Sequence, residues 1–203
     1  DHVGGAHGTI LGDSVTWVEG RIGGAVRFTG VPGESVDIAS DFLEKGEGTL
    51  GLWIKPVLGL DRSVIFSAND AATASVGLSV ELDKDGRFIV RFRTSATGTE
   101  RIARSAPIFT SGSWQQVIFT LHDGTYALYV GGKNVPLEGD IHGPWFSMVS
   151  SASITYRMGA SAFPSSPGTF RGDLDDLCFF NHGFTAADAE LLNRLNTEYI
   201  ASL

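Results

Sequence analysis

The sequence predicts an all-β domain, a sandwich or barrel of antiparallel strands with one short helix at its C-terminal end. Three observations predict it. Glycine supplies 26 of 203 residues, about 13% against the roughly 7% of average proteins, so turns are frequent. Short runs rich in β-branched and aromatic residues recur along nearly the whole chain, separated by Gly, Asp, Asn, Ser and Pro clusters. Alternating strand and helix patterns are absent, which argues against an α/β layer architecture.

The clearest runs are Ala25 to Phe28, Thr49 to Lys55, Val64 to Ser67, Val76 to Leu82, Phe88 to Arg93, Trp114 to Leu121, Tyr126 to Val130, Ser153 to Met158 and Leu174 to Phe180. One hairpin is legible in register. With Lys84, Asp85 and Gly86 as a three-residue loop and Gly86 left-handed, Asp83 faces Arg87, Leu82 faces Phe88 and Val80 faces Val90. A two-residue loop would mix apolar and charged side chains on one face, so hydrophobic sorting selects the longer one. Leu78, Leu82, Phe88 and Phe92 then turn to the core, and Glu81, Asp83, Arg87, Arg91 and Arg93 to the other face. Near the end, Thr185 followed by Asp188 matches a capping box, with Ala189, Leu192 and Leu195 on one stripe beyond it. No repeat and no linker interrupts residues 1–203, which read as one domain.

Composition excludes several functions. Apolar residues make up 42% and charged residues 19%, and no apolar run approaches the roughly 18 residues that cross a bilayer, so a soluble globular domain without a membrane span is expected. A net charge of −8 opposes binding to a nucleic-acid backbone. The lone Cys178 can close no intramolecular disulfide, and the five histidines lack zinc-helix spacing. No serine sits in a G-x-S-x-G elbow, and the glycine-rich stretches lack the context of phosphate-binding loops. A start at Asp1, with neither methionine nor an apolar signal segment, suggests a piece of a longer protein.

Two groups of side chains are candidates for ligand binding. Arg87, Arg91, Arg93, Arg101 and Arg104 crowd one short window that contains a single acid, Glu100. The hairpin register puts Arg87, Arg91 and Arg93 on one face, where guanidinium forks suit the carboxylates or sulfates of an anionic glycan. The same arginines can instead pair with Glu81 and Asp83 on a solvated sheet face. In Ile141-His142-Gly143-Pro144-Trp145-Phe146, Pro144 favours a loop, and Trp145 beside His142 can stack on a pyranose ring. Equally, Trp145 and Phe146 can plug the end of the sandwich.

The order of motifs resembles the laminin-G-like branch of the concanavalin-A-like lectin and glucanase jelly rolls. The segments that carry the resemblance are HGTILGDSVTWVEGRIGGAVRFTG from His7, VDIAS from Val36, GTLGLWIKP from Gly48, WQQVIFTLHDGTYALYVGGKNV from Trp114 and FRGDLDDLCFFNHGFTAADAELLNRL from Phe170. It implies a jelly roll of two antiparallel sheets, one concave and one convex, in a secreted, cell-surface or periplasmic module, often appended to polysaccharide-degrading enzymes or adhesins. It assigns Trp17, Trp53 and Trp114 structural roles. It also implies a structural calcium ion (Ca2+) at Asp175 and Asp176, with the Gly30 carbonyl or the Glu34 side chain as partners. Phe28-Thr29-Gly30 departs from the family's F-D-G and removes one carboxylate. The parity of Phe170 and Leu174 is broken by Leu177 and Phe179, which predicts a bulge that re-aims one aspartate.

Glu81-Leu82-Asp83-Lys84-Asp85 resembles the alternating acidic strand of the superfamily's retaining glucanases, whose two carboxylates stand about 5–5.5 Å apart. The Asp85-Gly86 turn ends the strand before a third acid arrives. The expectation is therefore a non-catalytic carbohydrate-binding or adhesion module of a larger extracellular protein, with a glycan and neighbouring domains as partners. A structural or protein-interaction module is the alternative, and a glycoside hydrolase or lyase comes third.

Overall fold

The computed structural model describes residues 7–38, 43, 46–73, 75–150, 153–163 and 168–202. Its strands are β1 (Gly8–Leu11), β2 (Thr16–Glu19), β3 (Gly24–Thr29), β4 (Ser35–Ile38), β5 (Gly48–Pro56), β6 (Ser63–Asp70), β7 (Gly77–Leu82), β8 (Arg87–Arg93), β9 (Arg101–Pro107), β10 (Gln115–His122), β11 (Thr125–Val130), β12 (Lys133–Val135), β13 (Glu138–Gly139), β14 (Ile154–Met158) and β15 (Arg171–Phe180). A 3-10 turn covers Phe146–Met148, and helix α1 covers Ala186–Ser202.

The strands form two antiparallel sheets. One has eight strands in the order β1-β4-β14-β6-β7-β8-β9-β13, and the other has seven in the order β12-β11-β10-β5-β15-β3-β2. Alternation along the central strands explains the layers: Leu50, Leu52 and Ile54 of β5 meet Leu78, Val80 and Leu82 of β7 in one hydrophobic core. This is the two-sheet sandwich of a jelly roll.

The β7–β8 hairpin has the register read from sequence, with Leu82 opposite Phe88 and Val80 opposite Val90. The Gly86 amide donates to the Asp83 carbonyl at 3.1 Å, and Gly86 takes φ 81, so the three-residue loop stands. The strands that pattern reading did not single out are β1, β2, β4, β9, β12 and β13. β1 and β2 have no buried residue, and β9 reads Arg-Ile-Ala-Arg-Ser-Ala-Pro, so backbone pairing to a neighbour, rather than apolar alternation, makes them strands.

Helix α1 starts as expected. The Thr185 amide donates to the Asp188 carboxylate at 2.9 Å, and the Asp188 amide returns a longer bond of 3.4 Å to the Thr185 hydroxyl. Ala189 and Leu192 dock the helix on Ile118, Tyr129 and Phe184 on the outer face of the seven-stranded sheet. Leu195, expected on the same stripe, is exposed; it turns away from the sheet, and Asn196 beside it faces Trp53 and Gln116 instead.

Cys178 lies under that helix. Its thiol donates to the Gly51 carbonyl at 3.3 Å, and burial, with the nearby Asp176 charge, pushes its pKa up to about 12. A thiol reagent at pH 8 is therefore expected to modify the native protein roughly a thousandfold more slowly than the urea-unfolded chain, because the thiolate is the attacking form. Equal rates in the two states would contradict this burial.

Candidate functional site

The register of the eight-stranded sheet composes its outer face row by row. Arg157 stands opposite Ser67, Ser67 opposite Ser79, Ser79 opposite Arg91, and Arg91 opposite Ile102. A second row carries Asn69, Gly77 and Arg93, and a third Val64, Glu81, Ile89 and Arg104. Directly opposed residues share a face, so five strands display four arginines around a centre of small polar side chains.

Part of this face is roofed over. The Ser67 hydroxyl donates to the Ala160 carbonyl at 2.9 Å and accepts from the Ala162 amide at 2.8 Å. Phe163 lies so close to Gly77 that a Cβ there would stand 2.5 Å from the ring. Residues 160–163 thus close over the middle of β6 and β7, and Ser79 Oγ and Asn69 Oδ1 are buried beneath with no hydrogen-bond partner.

Glu81 is held at the heart of the arginine group with only 1% exposure. Arg62 Nε donates to its Oε2 at 2.9 Å, and Arg91 Nε to its Oε1 at 2.7 Å. Arg91 reaches onward to Glu100 through Nη1. Burial works against the Arg91 charge, yet the Glu81 and Glu100 carboxylates outweigh it and raise its pKa. Arg157 is held by a two-pronged pair with Asp37 at 2.6 and 2.7 Å. In contrast, Arg93 and Arg104 form no ion pair among the described residues, although Glu138 of β13 stands opposite Arg104 in the register. Glu100 immediately precedes Arg101, which pairs with Arg93's neighbour Phe92, but it gives its carboxylate to Arg91.

The sequence-predicted residues separate accordingly. Arg91 and Arg93 do share a face, but Arg91 is engaged by Glu81 and Glu100, whereas Arg93 is not. Arg87 stays at the hairpin end, 3.7 Å from Asp83. Asp83 spends its Oδ1 on the Asp85 and Arg87 amides at 3.0 and 2.9 Å, so it organises the turn. With Glu81 enclosed by two guanidiniums and Asp83 tied to backbone, the pair does not form the open cleft that glycosidic cleavage needs. Arg62 was not visible as a partner in the sequence, because it lies in the turn before β6 and only the β6–β7 pairing brings it to Glu81. The polar residues Ser67, Asn69 and Ser79 inside otherwise apolar strands were the available signal.

Trp145 requires a correction. It has no exposed surface, stacks on Phe119 with ring centroids 5.9 Å apart, and sits where Gly48 leaves room: a Cβ on Gly48 would come within 2.5 Å of the indole. It plugs the end of the core and offers no face to a sugar. His142 does remain exposed, and its Nδ1 lies 3.0 Å from the Gly124 carbonyl. Trp17, expected to be structural, is 69% exposed, because β2 is the edge strand and lacks a neighbour on one side. Trp53 and Trp114 lie against Arg21 and Lys55, at 5.4 and 5.8 Å respectively.

The predicted bulge is present: the register of β15 on β5 shifts between Asp175 and Cys178, and Asp176 takes φ 49. It does not assemble the implied calcium ligands. Asp175 Oδ2 accepts from the Arg21 and Ile22 amides at 2.6 and 2.8 Å. Glu34 accepts from the Thr29 and Gly30 amides at 2.7 and 3.0 Å and from the Thr29 hydroxyl at 2.6 Å. These two carboxylates cap opposite ends of β3, about 16 Å apart at some 3.3 Å per residue. One ion with ligands at about 2.3–2.6 Å cannot join them. Partial burial and the neighbouring Asp175 charge raise the pKa of the Asp176 carboxyl. Asp175, Asp176, Gly30 and Glu34 therefore do not fit a shared calcium site.

Comparison with known proteins places this architecture. Domain 4 of AbnA, a GH43 extracellular arabinanase from Geobacillus stearothermophilus described in complex with arabinotriose, is similar at TM-score 0.68 and 18% identity, over 92% of this chain and 87% of that one. The CBM40 of the Ruminococcus gnavus IT-sialidase, described bound to alpha2,3 sialyllactose, is similar at TM-score 0.70 and 9% identity, over 83% and 96%. The binding domain of Paraclostridial Mosquitocidal Protein 1 reaches TM-score 0.67 at 16% identity, over 93% of this chain and 47% of that one. No curated protein matches in sequence. At such identities the likeness concerns the fold. A family profile, however, matches residues 29–190, from the end of β3 into α1, and on that match the chain belongs to the concanavalin A-like lectin/glucanases superfamily.

Proposed function

We propose that the domain is a non-catalytic carbohydrate-binding module of a secreted protein, and that it takes an anionic glycan on the outer face of the eight-stranded sheet. The observation that carries this reading is the contrast among arginines on that face. Arg62, Arg91 and Arg157 are neutralised by buried or half-buried carboxylates, while Arg93 and Arg104 present guanidiniums with no carboxylate partner among the described residues. Guanidinium forks recognise carboxylate and sulfate groups through paired donors. Arg91, held by Glu81 and Glu100, serves as the rigid floor beside them. The two sugar complexes among the similar structures support the reading.

Affinity electrophoresis through gels cast with neutral, uronic and sulfated polysaccharides tests it. The domain should be retarded by the acidic polymers, and the retardation should fade with added salt, because exposed charges are screened within about 8–10 Å at these ionic strengths. Combining Arg93→Ala with Arg104→Ala should weaken binding roughly three- to tenfold, in the range of exposed charge pairs. Salt-independent retardation by a neutral polymer, or unchanged retention by the double variant, would reject the arginine face. No retardation by any polymer favours the second reading, a protein-interaction module. That reading has its own observation: Ile10, Leu11, Trp17 and Val31 are exposed apolar side chains near the first strands.

A further inference from the structure

Glu47, His122 and Asp123 meet at the end of the sandwich where β10 turns into β11, apart from the arginine face. The turn is Asp123–Gly124, with φ 48 and 71, the left-handed pair of a two-residue type I′ hairpin. Leu121 pairs with Gly48, so His122 and Glu47 are neighbours across the β5–β10 ladder. Backbone groups hold Glu47 in place. The Asp123 amide donates to its Oε2 at 3.2 Å, and this bond, followed by one from Gly183, lowers its pKa.

The imidazole faces both carboxylates. His122 Nδ1 is shielded from solvent and lies 3.4 Å from Glu47 Oε2. With a proton on Nδ1 this contact is an imidazole–carboxylate ion pair; with Nδ1 deprotonated, the same nitrogen and oxygen present two lone pairs to a cation placed between them. The other ring nitrogen, Nε2, is 3.7 Å from Asp123 Oδ2, and one donor atom from each of the three residues falls within 4.8 Å of the others. A tetrahedral zinc ion with bonds of about 2.0–2.2 Å separates its ligand atoms by about 3.3–3.6 Å, which the Nδ1–Oε2 edge already matches.

We infer that Glu47, His122 and Asp123 form a binding site for a divalent transition-metal ion of the zinc class. Glu47 and His122 supply the fixed edge. Asp123, with a side chain 91% exposed, is free to swing in as the third ligand, and water completes the shell. The imidazole donor selects such an ion over calcium, which takes oxygen ligands. Asp188 adds negative charge nearby. The Thr185 hydrogen bonds lower its pKa, which keeps it ionised.

Zinc chloride titrated calorimetrically into the untagged, chelator-stripped protein tests the assignment. The expected result is one equivalent bound in about the micromolar range. His122→Gln and Asp123→Asn should each weaken it about tenfold or more, while His7→Gln leaves it unchanged. Both substituted side chains reach solvent, and asparagine tolerates the left-handed turn, so the variants keep the fold. Absence of zinc uptake at about 100 µM, equal binding by both variants, or calcium competing on equal terms would each overturn the inference.

Discussion

Replacing Glu81 with alanine is expected to destabilise the domain by about 3 kcal/mol, the lower end of the range for breaking a buried ion pair from one side. Arg62 and Arg91 converge on this carboxylate with side chains only 18% and 20% exposed. Its loss leaves two guanidiniums facing each other in a partly desolvated site. Arg91 retains Glu100, which is why the lower end applies. For a domain of this size, about 2–4 °C per kcal/mol gives a fall in melting temperature of roughly 6–12 °C, measurable by calorimetry or circular dichroism. Glu81→Gln should cost less, because the amide oxygen still accepts one of the two bonds. A variant with unchanged stability that abolished turnover on a polysaccharide would instead assign Glu81 to catalysis. Replacing Arg62, Glu81 and Arg91 together by apolar residues of similar volume should come close to neutral, since the desolvation of all three charges is then recovered.

Trp145→Ala is expected to cost about 3–5 kcal/mol, the usual range for deleting a buried aromatic ring. The indole is enclosed by Phe119 and Phe146, with the Phe146 centroid at 4.9 Å, and Gly48 forms the floor beneath it. Little can collapse into the space, because Phe119 is itself packed against the tilted rings of Tyr126 and Phe88. Unfolding by urea, with the midpoint compared to wild type, measures the loss. Below that midpoint, retention on any glycan should match the wild type, because the ring has no exposed atom to offer. Reduced glycan binding at unchanged stability would return Trp145 to the site.

Legibility in the sequence followed the range of each interaction. The β7–β8 hairpin was readable in register because strand alternation and the left-handed Gly86 act over a few residues. The bulge in β15 was readable for the same reason, since one extra residue switches the parity of Leu177 and Phe179 against Leu174. The capping box of α1 was a matter of a three-residue spacing. Arg91 and Glu81 were correctly placed on one face, yet nothing local announced that Glu81 would be buried. Arg62 and residues 160–163 close over that face, and both come from turns whose sequences carry no alternation.

The site residues divide along the same line. Pro144 signalled a turn, and a 3-10 turn follows at Phe146–Met148, but whether the neighbouring indole faced water or core depended on an absent side chain at Gly48, nearly one hundred positions earlier in a chain of 203 residues. Asp175 has amide partners at Arg21 and Ile22, 154 and 153 positions away, and those bonds commit its Oδ2 to the backbone. His122 and Glu47 become neighbours only through the β5–β10 ladder.

By itself, then, the sequence determined the antiparallel sandwich, the hairpin that carries the arginines, the bulge and the helix start, because alternation, turn chemistry and capping are encoded within a few residues. Only the tertiary structure decided which arginines are held by carboxylates, which aromatic is buried and which carboxylates share a neighbourhood. Those outcomes depend on desolvation and on partners supplied by distant strands, and neither quantity exists until the two sheets have packed.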